Sequence, residues 1–177
     1  MISRKIGKRE FAIAIGKFST DSYSTTIKKL ALLPPHGFVQ AVPARLCAGP
    51  RHIESALCGT FSAFENKTNF SRKPELEFLV RLLGEKQLNR AITTSEFQNG
   101  QEVVLVFEVM GNKSDASKKI FMALGFEECK NLALGGNRKE LMEIYGIGQS
   151  EINAVSGFAE PLEALVIEKT AFVALEK

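Results

Sequence analysis

Two residues that could carry out nucleophilic chemistry lie close together in the first third of the chain. Cys47 and His52 are five positions apart, and a thiol beside an imidazole is the basis of cysteine nucleophiles. A working pair also needs a group that orients the imidazole and a site that stabilises an oxyanion, and no sequence pattern supplies either. Because His52 follows Pro50 at the start of a predicted helix, it is more typical of a surface or capping residue. We therefore expect no enzyme activity.

Metal and cofactor motifs are also missing from the sequence. It contains no Walker loop, no G-x-S-x-G elbow and no H-E-x-x-H pattern. His36 and His52 lack the spacing of two ligands on one helical face. The three widely spaced cysteines form neither a CxxC site nor a disulfide framework, which favours a reducing cytoplasm. We expect no metal, no cofactor and no small-molecule substrate.

One short pattern is typical of nucleic-acid binding. Gly146-Ile147-Gly148 lies between two short helical segments and resembles the turn of a helix-hairpin-helix, where backbone N–H groups bind phosphate. Only one copy is present, and Glu151 in the following turn would repel a phosphate. A free-standing nucleic-acid-binding module that uses this turn is our alternative hypothesis. The other interpretation is a tight turn between two core helices.

Positive charge is concentrated between residues 66 and 90, where six Lys and Arg residues stand against three Glu residues. They flank a very apolar helix and a loop rich in Asn and Ser that contains Phe70. Phosphate contacts and aromatic stacking are how proteins bind single-stranded RNA. The predicted RNA contacts are Lys67, Arg72, Lys73, Arg81, Lys86, Gln87 and Arg90. The other interpretation is a solvated basic edge, and Glu75 and Glu77, two positions apart, are expected to be solvated as well.

The helix inside this basic stretch is predicted from its apolar spacing. Leu76, Leu79, Val80 and Leu83 recur at i, i+3, i+4 and i+7. Pro74 is acceptable in the first turn, and Gly84 stands where a left-handed residue ends a helix. Phe78 and Leu82 widen the apolar face, so we expect neighbours to bury this helix on several sides.

The remaining elements suggest an α/β or α+β protein. The unbroken apolar run Val103–Phe107 predicts an interior strand, and further strands alternate with helices along the chain. We expect one globular domain over residues 1–177, with a mixed β-sheet and helices packed on both faces. Residues 1–9 are rich in Lys and Arg and are expected to form a flexible basic N-terminal arm, either solvated or in contact with phosphates.

The bulk composition limits the remaining possibilities. The 177 residues are 45% hydrophobic and carry a net charge of +3, which is typical of a folded domain and permits RNA contact without requiring it. No apolar run approaches the roughly 18 residues of a membrane span. We expect a cytoplasmic protein with no membrane partner.

Three segments together resemble one protein family. The first is Gly49-Pro-Arg-His52 with Ala56, the second runs from Asn69 to Ile92, and the third is Glu168-Lys-Thr-Ala171. The second contains a Gly-x-x-Gln-Leu-x-x-Ala-Ile signature, matched by Gly84, Gln87, Leu88, Ala91 and Ile92. The order and spacing are similar to the kinase-binding regulatory subunit of the KEOPS/EKC complex, the TPRKB family. The resemblance covers roughly residues 37–177, and residues 1–36 match poorly.

The resemblance implies a non-catalytic role. Members of this family bind and stimulate the small atypical protein kinase of KEOPS. They also help to bind the 3′ acceptor end of tRNA, for formation of threonylcarbamoyladenosine at tRNA position 37. We expect the kinase to dock on the last helix, which is apolar on more than one side. The predicted kinase contacts are Leu162, Leu165, Val166, Lys169 and Phe172.

Overall fold

The computed structural model describes residues 1–19, 25–26, 28–29, 37–129, 134–155 and 157–174. His36 and the Pro34-Pro35 pair lie outside these ranges. The described residues belong to two compact units, one made of residues 1–44 and 96–133 and the other of residues 45–95 and 134–177. The mixture of helices and strands confirms the α/β class predicted from the sequence. One globular domain over residues 1–177 stays a prediction.

Five strands and seven α-helices are formed by the described residues. The strands are β1 (Ile2–Ile6), β2 (Arg9–Phe18), β3 (Val39–Pro43), β4 (Val103–Glu108) and β5 (Phe126–Glu128). The helices are α1 (Pro50–Glu65), α2 (Pro74–Leu83), α3 (Leu88–Thr94), α4 (Lys113–Leu124), α5 (Arg138–Tyr145), α6 (Gln149–Ala154) and α7 (Pro161–Ala171). No helix in the described part of the chain is long and apolar enough to cross a membrane.

The sheet of the first unit is antiparallel in every described pairing, which corrects the prediction of a mixed sheet. Its strand order is β1-β2-β4-β3, and β5 pairs with β2. All six residues of β4 are buried between its two neighbours, as the apolar run predicted. Strand pattern alone does not say which strands pair or in which direction, because the pairing partners come from distant parts of the sequence.

Residues 1–9 do not form the flexible arm that the sequence suggested. Ile2–Ile6 pair with β2 in a hairpin, with Ser3 opposite Ala12 and Ile6 opposite Arg9. Gly7 adopts a φ of 58° in the two-residue turn, a conformation that favours glycine and matches the twist of a hairpin. The basic side chains therefore belong to an ordered edge strand.

One face of the sheet is covered by α4. Ile120 and Leu124 of this helix are buried in a cluster with Leu105 and Phe107. The helix begins at Asn112, whose side chain accepts hydrogen bonds from the N–H groups of Ser114 and Asp115. For this face the predicted helix packing is confirmed, and for the opposite face it stays a prediction.

The second unit is organised around α2. Phe78, Leu79, Val80 and Leu82 are at most 1% exposed, and the helix contacts α1, α3 and α7. Pro74 is its first residue, and Gly84 ends it with a φ of 63°, as the sequence predicted. A Cβ at Gly84 would lie 3.1 Å from the Cα of Thr170, so this glycine also permits α7 to approach closely. The start, the end and the burial of α2 could therefore all be predicted from its own residues.

Candidate functional site

The loop before α2 is held by a carboxylate that has no solvent exposure. Oε2 of Glu77 accepts hydrogen bonds from the N–H groups of Phe70 at 2.7 Å and Ser71 at 2.9 Å. Glu77 itself is 0% exposed, which corrects the expectation that it is solvated. Burying a carboxylate costs free energy unless it is hydrogen-bonded or paired. Movement of the loop would remove the two hydrogen bonds that offset this cost, so the bonds fix the loop in one conformation.

Arg81 completes this arrangement and does not lie on the surface. Its Nε donates to Oε1 of Glu77 at 2.9 Å, one helical turn earlier, and its side chain is only 8% exposed. The guanidinium also lies over the ring of Phe70, 5.3 Å from the ring centroid. Arg81 was therefore wrongly predicted as an RNA contact, since it supports the loop from inside.

The same loop presents three of the predicted RNA contacts to solvent. Lys67, Arg72 and Lys73 are exposed, and the described residues offer them no ion pair. Further bonds brace the loop between them, from Asn69 Nδ2 to the Ser71 carbonyl at 2.8 Å and from the Lys73 N–H to Ser71 Oγ at 3.2 Å. The result is a braced loop, residues 66–73, that carries three cationic side chains.

The other three predicted RNA contacts lie at the far end of α2. Lys86, Gln87 and Arg90 are exposed near the start of α3, and α2, with its ten residues, separates them from the braced loop by about 15 Å. Nε of Arg90 pairs with Glu85 at 3.1 Å, and the Gln87 N–H donates to the same carboxylate. The structure thus divides the predicted site into two groups and leaves the braced loop as the more cationic one.

The predicted kinase contacts are also divided. Leu165 and Val166 are 6% and 0% exposed and pack in a cluster with Leu141 and Tyr145, so they cannot touch a partner directly. Phe172 is 50% exposed. Lys169 is exposed and Leu162 is half-buried. The exposed part of the predicted surface is therefore limited to one side of α7 and the turn after it.

The Gly146-Ile147-Gly148 turn is engaged from within the unit. The Gly148 N–H donates to Oε2 of Glu151 at 2.7 Å, and Lys169 Nζ pairs with the same side chain at 3.0 Å. The N–H of Gly148, followed by Lys169, lowers the pKa of the Glu151 carboxyl. Because the N–H that a phosphate would need is bound by a carboxylate, this geometry favours the tight-turn interpretation. The helix after the turn, α6, has only six residues.

His52 is 0% exposed and is held in the core by hydrogen bonds at both ring nitrogens, which corrects the expectation of a surface or capping residue. Nδ1 accepts the N–H of Ala48 at 3.2 Å, and Nε2–H donates to the carbonyl of Leu82 at 2.9 Å. Burial lowers the pKa of His52 to about 4, against the opposing effect of the Leu82 bond. Burial also raises the pKa of the Cys47 thiol to about 12. Neither group is placed to act as a base or a nucleophile at neutral pH.

Sequence reasoning missed Glu163, which joins the first segment of the family resemblance to α7, the helix that carries the third. Its Oε1 accepts the N–H groups of Arg51 at 2.7 Å and His52 at 3.0 Å, at the start of α1. This carboxylate on α7 caps a helix that has no side-chain cap of its own. The N-terminal Gly49-Pro sequence indicated that a helix starts there, but nothing local indicated that the cap would come from more than 100 positions away.

Metal binding and known relatives add no further assignment. In the part of the chain that the structure describes, no group of three or more His, Cys, Asp or Glu side chains could hold a metal ion. No model of a known protein family matches the sequence, and no protein of curated function matches it.

Proposed function

We propose that the protein is a non-catalytic subunit of a KEOPS-type complex. In this role it binds and stimulates the small atypical protein kinase of the complex. It also helps to recruit tRNA by its 3′ acceptor end for threonylcarbamoyladenosine formation, and such a subunit acts in the cytoplasm. The single observation that carries the RNA part is the braced loop. Its three cations extend from a backbone that Glu77 holds rigid, so less conformational freedom is lost on binding.

Two further observations support the proposal. The segments of the family resemblance meet within one unit, through the Glu163 cap on Arg51 and His52 and through the close approach of Gly84 to Thr170. These residues then serve the fold and account for the spacing of the pattern. Both ring nitrogens of His52 are engaged in hydrogen bonds to the backbone, which supports a binding role over a reaction that uses Cys47 and His52.

For kinase docking, the proposal is limited to the accessible residues Leu162, Lys169 and Phe172. An exposed aromatic side chain such as Phe172 is a typical anchor for a partner protein. Leu162 lies at the other end of α7, ten residues or about 15 Å earlier. Leu165 and Val166 support this surface by packing α7 against α5 and no longer belong to the proposed contact set.

The RNA part is tested by measuring the affinity of the protein for tRNA with and without the 3′ tail. Arg72→Glu/Lys73→Glu should weaken binding of intact tRNA and leave the residual binding of the tailless tRNA unchanged. The matched control is Arg138→Glu/Lys139→Glu, which makes the same charge change at two exposed positions of the same unit. Equal affinity of the loop variant and the wild type for intact tRNA would refute the assignment.

A further inference from the structure

The net positive charge of the chain comes from one of its two units. Residues 45–95 and 134–177 contain 12 Lys and Arg and 12 Asp and Glu, so this unit is neutral. Residues 1–44 and 96–133 contain 11 Lys and Arg against 8 Asp and Glu, which accounts for the whole net charge of +3. The braced loop belongs to the neutral unit, and the excess must therefore be explained separately.

Folding gathers part of this excess at the start of α4. Lys113 Nζ contacts Ser3 Oγ, and Ser117 Oγ contacts Met1 Sδ at 3.3 Å, so α4 lies on the face of β1 that carries Ser3. Side chains two positions apart on a strand share a face, which places Lys5 beside Ser3 and Lys113. Positions 5 and 113 are distant in sequence and are brought together only by the fold.

Further lysines extend this surface. Lys8 is exposed in the turn of the hairpin, and Lys118 and Lys119 are exposed on the outer side of α4. Among the described residues, none of these three side chains has an ion-pair partner within 4.0 Å.

The acidic groups nearby include Glu10, opposite Lys5 on the neighbouring strand, and Asp115 on α4. Glu108 lines a cavity together with Asp115 and Lys119, and it pairs with Arg9 at 3.1 Å. Glu128 pairs with the N-terminal amino group at 2.6 Å. Because Glu108 and Glu128 already have cationic partners outside this surface, its five lysines stand against Glu10 and Asp115, and the surface remains cationic.

We propose that this surface, the lysine face (Lys5, Lys8, Lys113, Lys118 and Lys119), binds the phosphodiester backbone of double-helical RNA. Lysine is a flexible point charge suited to phosphate, and contacts to phosphates carry no sequence information. Single-stranded RNA would call for exposed aromatic side chains, and the described residues of α4 and of the β1–β2 hairpin expose none. Helical RNA is recognised mainly through its shape and its backbone.

The inference rests on the proposed function and extends it from the 3′ end of the tRNA to its helical body. The two contacts are made by different units, one through the braced loop and one through the lysine face. Each can therefore be removed without touching the other.

The test uses the full chain and three RNA probes in equilibrium binding: intact tRNA, tRNA without its 3′ tail, and a blunt RNA duplex of about 16 base pairs. Lys118→Glu/Lys119→Glu should weaken binding of all three probes by a common factor, roughly 10- to 30-fold near 0.15 M salt, because two phosphate contacts are lost. The slope of log affinity against log salt should fall by about two. Asp115→Asn should tighten binding of the same probes.

Arg138→Glu/Lys139→Glu is again the matched control, since it changes the net charge equally on the neutral unit. Unchanged affinity of the Lys118→Glu/Lys119→Glu variant for the blunt duplex overturns the inference. The inference is also overturned if the Lys118→Glu/Lys119→Glu variant keeps its affinity for the duplex but loses binding to poly-glutamate or to phosphatidylserine vesicles. Loss of poly-glutamate binding would assign the surface to an acidic protein, and loss of vesicle binding would assign it to a membrane. If Arg72→Glu/Lys73→Glu fails to affect intact tRNA while the lysine-face variant weakens the duplex, only the proposed 3′-end contact is refuted.

Discussion

Replacing Glu77 by alanine tests whether the braced loop depends on its buried carboxylate. The change removes the acceptor of the Phe70 and Ser71 N–H groups and the ion-pair partner of Arg81. No exposed atom is altered, because Glu77 is 0% exposed. Any weakening of RNA binding must therefore act through the conformation of the loop.

The expected loss of stability follows from the Arg81 charge that the substitution leaves buried without its partner. Breaking a buried ion pair by removing one partner costs about 3–5 kcal/mol, because the remaining charge is buried without compensation. The lost hydrogen bonds to Phe70 and Ser71 are included in this figure and add no separate cost. The loop can move and expose these N–H groups to water, so they are not left unpaired in the interior. For a chain of this size the Tm should fall by roughly 10 °C.

Thermal and urea denaturation measure the stability, and tRNA binding at a temperature where the variant is folded measures the function. Glu77→Ala also makes the protein one unit more positive, so charge alone would tighten RNA binding. The bracing argument predicts weaker binding instead. Glu65→Gln, at an exposed position at the end of α1, is the control and should change the free energy of unfolding by less than about 0.5 kcal/mol. A Glu77→Ala variant that is as stable as this control, or that binds tRNA more tightly than the wild type, would refute the reasoning.

Three further predictions concern other groups. The free energy of unfolding should decrease by up to roughly 3 kcal/mol as the pH falls from 6.5 to about 4, because the unfolded chain takes up a proton at His52 that the folded one excludes. Urea titrations should show a steeper dependence of this free energy on pH for the wild type than for His52→Gln, and equal dependence would contradict the prediction. Cys47 should resist a thiol reagent at pH 8 until the protein unfolds, since burial raises its pKa to about 12, whereas the exposed Cys58 should react in the native state; mass spectrometry of the labelled protein distinguishes them. Phe172→Glu should abolish co-purification with the kinase at unchanged Tm, because this side chain is half exposed, and retained co-purification would place the interface elsewhere.

Local signals in the sequence were enough for α2 but not for what surrounds it. Pro74 and Gly84 fix its ends through the conformations that each residue prefers, and these do not depend on distant partners. The burial of Glu77 and Arg81 could not be predicted from local signals. A pair at i and i+4 fits a solvated helix face as well as a buried ion pair, and the choice depends on the Phe70 loop that folds over it.

The error on α7 has a similar physical origin. A helix that is apolar on several sides does not say which side meets the core and which meets solvent. Leu165 and Val166 were assigned to the surface, but the packing of α5 and α6 buries both. Phe172 follows α7 in a 3₁₀ turn, and its exposure could not be read from helical periodicity.

The RNA contacts were predictable only where the charges are close along the sequence. Residues 66–90 meet this condition, because one loop and one helix carry the charges. The lysine face does not, because its members come from the first nine residues and from α4, about 100 positions later. Residues 1–9 seemed to be a loose basic arm for this reason. Once β1 pairs with β2 and α4 contacts Ser3, the same charges occupy fixed positions on a folded surface, and a fixed cationic surface can select the spacing of phosphates in a way that a flexible arm cannot.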